Sequence, residues 1–203
     1  MSHIALIGAS GAAGSRILKE LSNRGHSITA IARNPERIPN LPGVTTASAD
    51  ARDEDSLARA ISGHDVVVSA AKFVSTEPAT LIEAVRRSGV SRYIVVGGAG
   101  SLEIAPGQRL IDQPGFPEAY RPEASRGAAF LDLLKQEGQL NWTFLCPSAE
   151  FVPGERTGVF RIGKDSLLSN AEGSRISFED FAVALVDEIE HPAHARQRFT
   201  VGY

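Results

Sequence analysis

The chain has 203 residues, 42% of them hydrophobic and 22% charged, with a net charge of −3, values that are typical of one globular domain with a single large core. This charge argues against a nucleic-acid scaffold, and no stretch approaches the ~18 apolar residues that a membrane-spanning helix needs. The single cysteine, Cys146, excludes an intramolecular disulfide framework and, with an N-terminus that lacks the pattern of a signal peptide, predicts a cytoplasmic protein.

Short apolar runs alternate with amphipathic helical patterns along the first 146 residues. Strands are predicted at 3–8, 27–32, 44–49, 65–71, 92–98 and 141–146. Helices are predicted at 13–24, 53–62 and 78–88, each followed by a glycine, and a longer one after Tyr120. Several of the strands are apolar at consecutive positions, which is typical of burial on both faces. The alternation predicts an α/β fold, a Rossmann-like doubly wound parallel sheet in a single domain.

The alternation changes after the sixth strand. Residues 148–176 are richer in glycine, serine and charge, and they contain one predicted strand at 157–163. A helix at 177–192 and a last strand at 197–203 are predicted to complete the chain. We therefore expect residues 1–203 to form one domain, with a small substrate-side segment at about 148–176.

Three glycines lie between the first predicted strand and the first predicted helix, in the spacing G-x-x-G-x-x-G. Gly8 would allow a sharp turn, Gly11 a close approach of a pyrophosphate, and Gly14 tight packing of the helix on the sheet. The helix N-terminus would offer free N–H groups and a positive dipole end to the phosphates. The backbone predicted to bind them comprises Gly8, Ser10, Gly11, Ala12, Ala13 and Gly14. The alternative is a tight turn without a ligand.

The end of the second strand indicates which dinucleotide would bind. A site for NAD usually places Asp or Glu here, where the carboxylate accepts from the ribose 2′-OH. This chain has Arg33 instead, with Arg37 one helical turn further on. A guanidinium binds a phosphate but cannot accept a hydrogen bond from a hydroxyl. We therefore predict that NADP(H) is preferred over NAD(H); the alternative is that both arginines are a solvated surface pair.

Further candidate residues follow the third and fourth strands. Asp50 could accept from the adenine amino group or could instead cap the next helix. Ala70 and Ala71 lie at the carboxyl edge of the predicted sheet, where small side chains leave room for a dinucleotide. Lys72 could contact a ribose or phosphate, or could be an ordinary surface lysine.

Several stretches together resemble a known family: "GASGAAG", "ARNP", "VVGGAGSL", "WTFLCPSAEFVPGERTG" and the terminal "RFTVGY". They are similar to the NAD(P)H-flavin reductase group, an atypical branch of the short-chain dehydrogenase superfamily related to biliverdin reductase B and NmrA-like proteins. The similarity covers essentially the whole chain. It implies a Rossmann fold, a bound NADP or NAD, and reduction of flavins or other small conjugated acceptors.

The resemblance also implies roles for residues after the fifth and sixth strands. Gly97, Gly98 and Ser101 stand where this superfamily keeps a loop with an active-site serine. Pro147 and Ser148 stand where relatives line the nicotinamide with a proline-led turn. The five histidines show no metal-ligand spacing, so no metal is expected.

Tyr120 precedes the fourth helix, where a related ketone reductase would carry Tyr-x-x-x-Lys, but Ala124 stands in the place of the lysine. Reduction of a ketone needs a proton donor, and the lysine would lower the pKa of the tyrosine. A flavin accepts hydride and spreads the charge over its rings, so it needs the protein mainly for orientation. The absence of the lysine therefore favours direct hydride transfer to a flavin or similar planar acceptor.

The candidate catalytic residues are therefore Ser101 and Tyr120, with Phe151 as a wall of the acceptor pocket. Tyr120 could instead be a helix-entry residue that packs on the surface. A redox-sensing regulator that binds NADP(H) without turnover fits the same residues, whereas the short chain after 148 leaves little room for a sugar epimerase. The expected partner is a small planar acceptor rather than nucleic acid or membrane, and the expected state is a monomer or homodimer.

Overall fold

The computed structural model describes residues 1–203 and contains twelve strands and five helices longer than one turn. The first six strands are β1 (His3–Ile7), β2 (Ser27–Ala32), β3 (Val44–Ser48), β4 (Val66–Ser69), β5 (Arg92–Val96) and β6 (Glu103–Ala105). The others are β7 (Gln108–Arg109), β8 (Asn141–Pro147), β9 (Glu150–Val152), β10 (Arg161–Gly163), β11 (Arg175–Ser177) and β12 (Gln197–Gly202). The helices are α1 (Ala12–Asn23), α2 (Glu54–Ile61), α3 (Pro78–Ser88), α4 (Arg121–Gln136) and α5 (Phe178–Glu190).

Eight strands form the central sheet in the order β10-β12-β8-β5-β4-β1-β2-β3. Every pairing in this sheet is parallel except that of β10 with β12. The chain runs from β1 outward through β2 and β3, then crosses back to place β4 on the other side of β1. The order of strands therefore reverses between β1 and β4, which is where ligands bind in open α/β sheets. This arrangement confirms the predicted Rossmann-like, doubly wound fold in a single domain.

Two apolar layers, each of 24 buried residues, cover the two faces of the sheet. Alternate residues of β1 point to opposite faces, so Ile4 and Leu6 pack under α1 and α5 while Ala5 and Ile7 pack under α2, α3 and α4. Burial on both faces explains why the central strands are apolar at consecutive positions. No helix of this fold combines the length and the apolar character that crossing a membrane requires.

The strand predicted at 157–163 is shorter than expected, because only Arg161–Gly163 pairs with a neighbour. The hydroxyl of Thr157 and the N–H of Gly158 instead donate to the carboxylate of Asp180, at 2.6 and 2.8 Å. Gly158 has a φ of +70°, which turns the chain away from an extended path. The side chain of Asp180, on α5, thus accepts from the backbone N–H of Gly158, which strand pairing could otherwise have used.

Two small sheets were not predicted from the sequence. The hairpin of β6 and β7 follows β5, and β9 pairs in parallel with β11 inside the segment 148–176. Glu103 of β6 connects the hairpin to the segment 148–176, since its N–H donates to the carbonyl of Asp165 at 2.9 Å and its carbonyl accepts from the N–H of Leu167 at 2.8 Å. The additions therefore lie together beyond the carboxyl ends of β5 and β8.

The packing of α1 on the first turn yields a test of the fold. A methyl group at Gly14 would overlap the carbonyl oxygen of Gly8, so Gly14→Ala should destabilise the protein by about 1–3 kcal/mol. This loss should appear although alanine favours a helix by ~1 kcal/mol over glycine. Gly115→Ala is the control, because a side chain there meets no atom within 4 Å. Urea unfolding would measure both, and an unchanged midpoint for Gly14→Ala would contradict the steric argument.

Candidate functional site

The turn between β1 and α1 lies directly on the end of β4. Gly8 has a φ of +81°, and its N–H donates to the carbonyl of Ile31 at 2.9 Å. A side chain at Gly8 would lie 2.8 Å from the carbonyl carbon of Ala70 and 2.9 Å from the nitrogen of Ala71. Glycine is therefore required at this position both by the backbone conformation and by the approach of β4.

The N-terminus of α1 is open. Its first intrahelical hydrogen bond runs from the N–H of Ser15 to the carbonyl of Gly11, at 2.9 Å. No side chain caps this end, and its first turn carries no acidic residue. In this turn and the start of α1, four N–H groups donate no hydrogen bond within the protein: those of Ser10, Ala12, Ala13 and Gly14. This is the donor set that a pyrophosphate needs, at the positive end of the helix dipole.

Gly11 differs from its two neighbours in the motif, because the fold does not require it. Its φ of −75° suits any residue, and a side chain there would meet only the carbonyl oxygens of Gly8 and Ala70, at 3.3 and 3.9 Å. The space in front of Gly11 is thus open, because glycine has no side chain and no other part of the protein fills it. The residues present therefore fit the phosphates of a dinucleotide.

Arg33 and Asp50 lie on adjacent loops that follow the carboxyl ends of β2 and β3. Arg33 and Arg37 are exposed and make no ion pair. The carboxylate of Asp50 accepts from the backbone N–H of Arg52 at 3.0 Å and from its guanidinium at 2.7 Å. The hydrogen bonds from Arg52 lower the pKa of Asp50 to about 2, with a smaller contribution from the charge of Arg33. No sequence motif marks Arg52 as a residue of this site.

The alternative expectation that Asp50 caps the next helix is wrong. Asp53 is the N-cap of α2, and its carboxylate accepts from the N–H of Ser56 at 3.0 Å. Asp50 lies too far from the start of α2 for this role, and its carboxylate accepts hydrogen bonds from Arg52 instead. The acidic cluster "ADARDED" contains several candidate caps, so the sequence did not distinguish them.

Small residues line the edge of the sheet next to the glycine turn. Ala70 and Ala71 are partly buried after β4, and Lys72 is exposed without an ion pair. The N–H of Gly97 donates to the carbonyl of Leu145 at 2.7 Å, and a side chain at Gly97 would overlap a core phenylalanine ring. Gly98 is partly buried and follows in extended conformation. The carboxyl ends of β1, β4 and β5 therefore present backbone rather than large side chains.

Ser101 is buried and is held by protein groups. Its carbonyl and hydroxyl oxygens accept from Arg198, at 2.7 and 3.2 Å. Its hydroxyl also lies beside the thiol of Cys146, whose pKa is raised to about 12, chiefly by burial. These contacts hold the serine on the buried side of its own loop, which follows β5.

Tyr120 is 68% exposed at the start of α4. Ala124 packs against Gly100, where a side chain would come within 2.7 Å of the alanine methyl group. The loop after β5 thus occupies the space next to position 124. Glu123, which sequence analysis missed, accepts from the N–H groups of Phe73 and Val74 at 2.8 and 2.9 Å. The helix that would carry a catalytic lysine instead anchors the loop after β4.

The last residue of β8 and the residue that follows it lie inside the protein. Pro147 ends β8 and is buried, and the fully buried Ser148 donates to a carbonyl of β12 at 3.1 Å. Phe151 packs edge-on against Phe178 and tilted against Phe181, with ring centroids 4.5 and 4.7 Å apart. The partly buried Phe151 thus belongs to an aromatic cluster between the segment 148–176 and α5.

Comparisons with known proteins agree with this geometry. Residues 8–192 match the model of a family described as NAD(P)H-binding. A "putative exported protein" of Burkholderia pseudomallei is 44% identical over 100% of both chains, with a TM-score of 0.91. A "putative epimerase" of Bacteroides thetaiotaomicron is 42% identical over 99% of this chain and 96% of its own, with a TM-score of 0.95. A "putative NADH-flavin reductase" of Streptococcus pneumoniae TIGR4 is 36% identical over 100% and 99%, with a TM-score of 0.84.

The contrast between Gly11 and Gly14 yields a test of the site. Gly11→Val should leave the protein folded, because its backbone conformation suits valine and only carbonyl oxygens lie nearby. Its branched side chain would, however, fill the space in front of the free N–H groups, so dinucleotide binding should fall below detection. Calorimetric titration, with circular dichroism to verify folding, would measure this. A folded variant with an unchanged dissociation constant would place the phosphates elsewhere.

Proposed function

The chain belongs to the NAD(P)H-binding family, and we propose that it is an NADPH-dependent reductase of a flavin or a similar planar acceptor. The observation that carries the proposal is a free set of phosphate-binding N–H groups in a chain that lacks the Tyr–Lys pair of a ketone reductase. The N–H groups lie at the uncapped N-terminus of α1, and Ala124, which packs on Gly100, stands in the place of the lysine. A relative with 36% identity bears the name of an NADH-flavin reductase, which supports the choice of acceptor.

The chain's own groups would hold the two ends of the dinucleotide. The free N–H groups of Ala12 and Ala13 would bind the pyrophosphate, and Arg33 would bind the 2′-phosphate. No carboxylate follows β2 directly to accept from a ribose 2′-OH, which favours NADPH over NADH. The backbone of Gly97 and Gly98 leaves room for the nicotinamide end at the edge of the sheet.

The reduced nicotinamide, when bound, supplies a hydride to the acceptor. An acceptor that spreads the resulting charge over a ring system needs no side chain to protonate it during transfer. Tyr120 is exposed and is followed by Ala124 in the place of a lysine, so its proposed part is contact with the acceptor. A dinucleotide-dependent epimerase would take hydride from a sugar carbon and a proton from its hydroxyl group, so it would require an acid–base residue such as the Tyr–Lys pair, in which Ala124 replaces the lysine.

We also propose an acceptor side for the site, a cellular compartment and an oligomeric state. The segment 148–176 would form the acceptor side of the site, because β9 and Phe151 follow β8 at the same edge of the sheet as the glycine turn. We place the protein in the cytoplasm, since its one cysteine is free and buried. We propose a monomer or homodimer that takes a small planar molecule as its acceptor.

The second candidate is a redox sensor that binds NADP(H) and does not turn it over. It is favoured by the same exposed Tyr120, because a binding protein needs no catalytic group at that place. Oxidation of NADPH by the purified protein with FMN, FAD or riboflavin decides between the two. Steady oxidation supports the reductase, and its absence with every flavin, together with tight NADPH binding, supports the sensor.

The charge of Arg33 yields a prediction about cofactor preference. Arg33→Asp should lose ~1.5–3 kcal/mol of NADPH binding, because it removes a charge-assisted contact with the 2′-phosphate. Its affinity for NADH should rise relative to wild type, since the new carboxylate can accept a hydrogen bond from the ribose 2′-OH. Arg59→Asp, an exposed site in the last turn of α2, is the control for the same change in charge. Calorimetry would measure both cofactors, and equal wild-type affinities for NADPH and NADH would refute the preference.

The absence of a tuned acid yields a prediction about Tyr120. Tyr120→Phe should slow flavin reduction by less than ~10-fold, whereas loss of an essential acid typically costs ~10²–10⁴-fold. Tyr120→Ala should mainly raise the KM for flavin, because it removes a contact surface as well as the hydroxyl. Single-turnover stopped-flow at saturating NADPH would measure the rates. A thousandfold loss in the phenylalanine variant, with NADPH affinity intact, would show that Tyr120 is an acid and that the acceptor resembles a carbonyl.

A further inference from the structure

Three charged residues lie on two adjacent loops where the adenosine end of the proposed dinucleotide would lie. Ala32 and Ser48, the last residues of β2 and β3, are partners in the parallel register, so the loops that follow them lie side by side. Arg33 comes directly after the first of these strands, and Asp50 and Arg52 come shortly after the second. The charge of Arg33 is close enough to lower the pKa of Asp50.

The pair of Asp50 and Arg52 has more contacts than an ordinary surface ion pair. The guanidinium of Arg52 donates from Nε to both carboxylate oxygens, at 3.1 and 3.2 Å, and from Nη2 at 2.7 Å. The backbone N–H of Arg52 adds a bond of 3.0 Å to the same carboxylate. The side chain of Arg52 is nevertheless 62% exposed and contacts no other acidic group. A pair this exposed adds little to stability, so the fold does not explain it.

We propose that Arg52 is a specificity-determining residue of the dinucleotide site, which acts by neutralising Asp50 beside the 2′-phosphate position. The inference rests on the proposed function, and it goes beyond the direct role of Arg33. Without Arg52, the carboxylate of Asp50 would repel the 2′-phosphate and compete with it for the guanidinium of Arg33. NADH carries no such phosphate, so its binding would not suffer this repulsion.

Protonation cannot relieve the repulsion in place of Arg52. The hydrogen bonds from Arg52 hold the pKa of Asp50 at about 2, so its carboxylate is ionised near neutral pH in the native protein. An exposed aspartate without its partner would have an ordinary pKa near 4 and would still be ionised there. The charge at position 50 is therefore constant, and only a neighbouring cation can offset it. Because the cluster is exposed, the effect should weaken as salt screens it.

Calorimetric titration of Arg52→Gln with NADPH and NADH tests the inference. We expect NADPH affinity to fall about three- to fivefold at low salt and NADH affinity to stay unchanged, and the loss should shrink at high salt. The fragments 2′,5′-ADP and 5′-AMP should show the same difference, which isolates the 2′-phosphate from the nicotinamide and from any activity. Arg109→Gln, which breaks the exposed ion pair with Asp112, is the matched control and should change neither affinity.

A double variant separates neutralisation from direct contact with the phosphate. Arg52→Gln combined with Asp50→Asn removes both charges, so the ratio of NADPH to NADH affinity should return to within twofold of wild type; a lost adenine contact at position 50 would lower both affinities equally and leave this ratio unchanged. A double variant with a ratio as low as that of the single variant would show that Arg52 binds the phosphate itself and would overturn the inference, as would an unchanged NADPH affinity in Arg52→Gln. Equal wild-type affinities for NADPH and NADH would remove the proposed cofactor preference and the inference with it, whereas a failed Arg52 test with preserved preference would remove the inference alone.

Discussion

The close approach of three backbone segments at the reversal of strand order is the constraint on which the site depends. Gly8 turns the chain from β1 so tightly that it lies on the backbone of Ala70 at the end of β4. Gly14 allows α1 to start directly above that turn, because any side chain there would overlap the carbonyl of Gly8. Since neither contact leaves space for a methyl group, the free N–H groups of α1 are held at a fixed place above the sheet.

The two ends of the site are then built by different means. The phosphate end uses backbone donors, which require only the correct path of the chain and no particular side chain. The proposed adenosine end would use side-chain charge, with Arg33 and the pair of Asp50 and Arg52 on adjacent loops. In the function that we propose, the backbone donors would bind any dinucleotide, whereas the balance of these three charges would set which dinucleotide is preferred.

Buried polar contacts hold the loops around the edge of the sheet. The buried carboxylate of Asp180 accepts from Thr157, Gly158 and the hydroxyl of Tyr203, which ties the segment 148–176 to α5 and to the last residue of the chain. Glu123 fixes the loop after β4 in the same way, through two N–H groups. Because each oxygen of both carboxylates accepts at least one hydrogen bond, these loops are positioned by the protein before any ligand arrives.

Local periodicity and glycine spacing determined the sheet, its helices and the phosphate turn, because each depends on neighbours within a few residues in the chain. The consecutive apolar residues of β1 already implied burial on two faces, and Gly8, Gly11 and Gly14 already implied the turn. The sequence could not show that Asp53 rather than Asp50 caps α2, that Asp180 shortens the strand at 157–163, or that Ala124 packs on Gly100. Those outcomes join residues that are distant in the chain or choose among equivalent acids, so only the tertiary structure decided them.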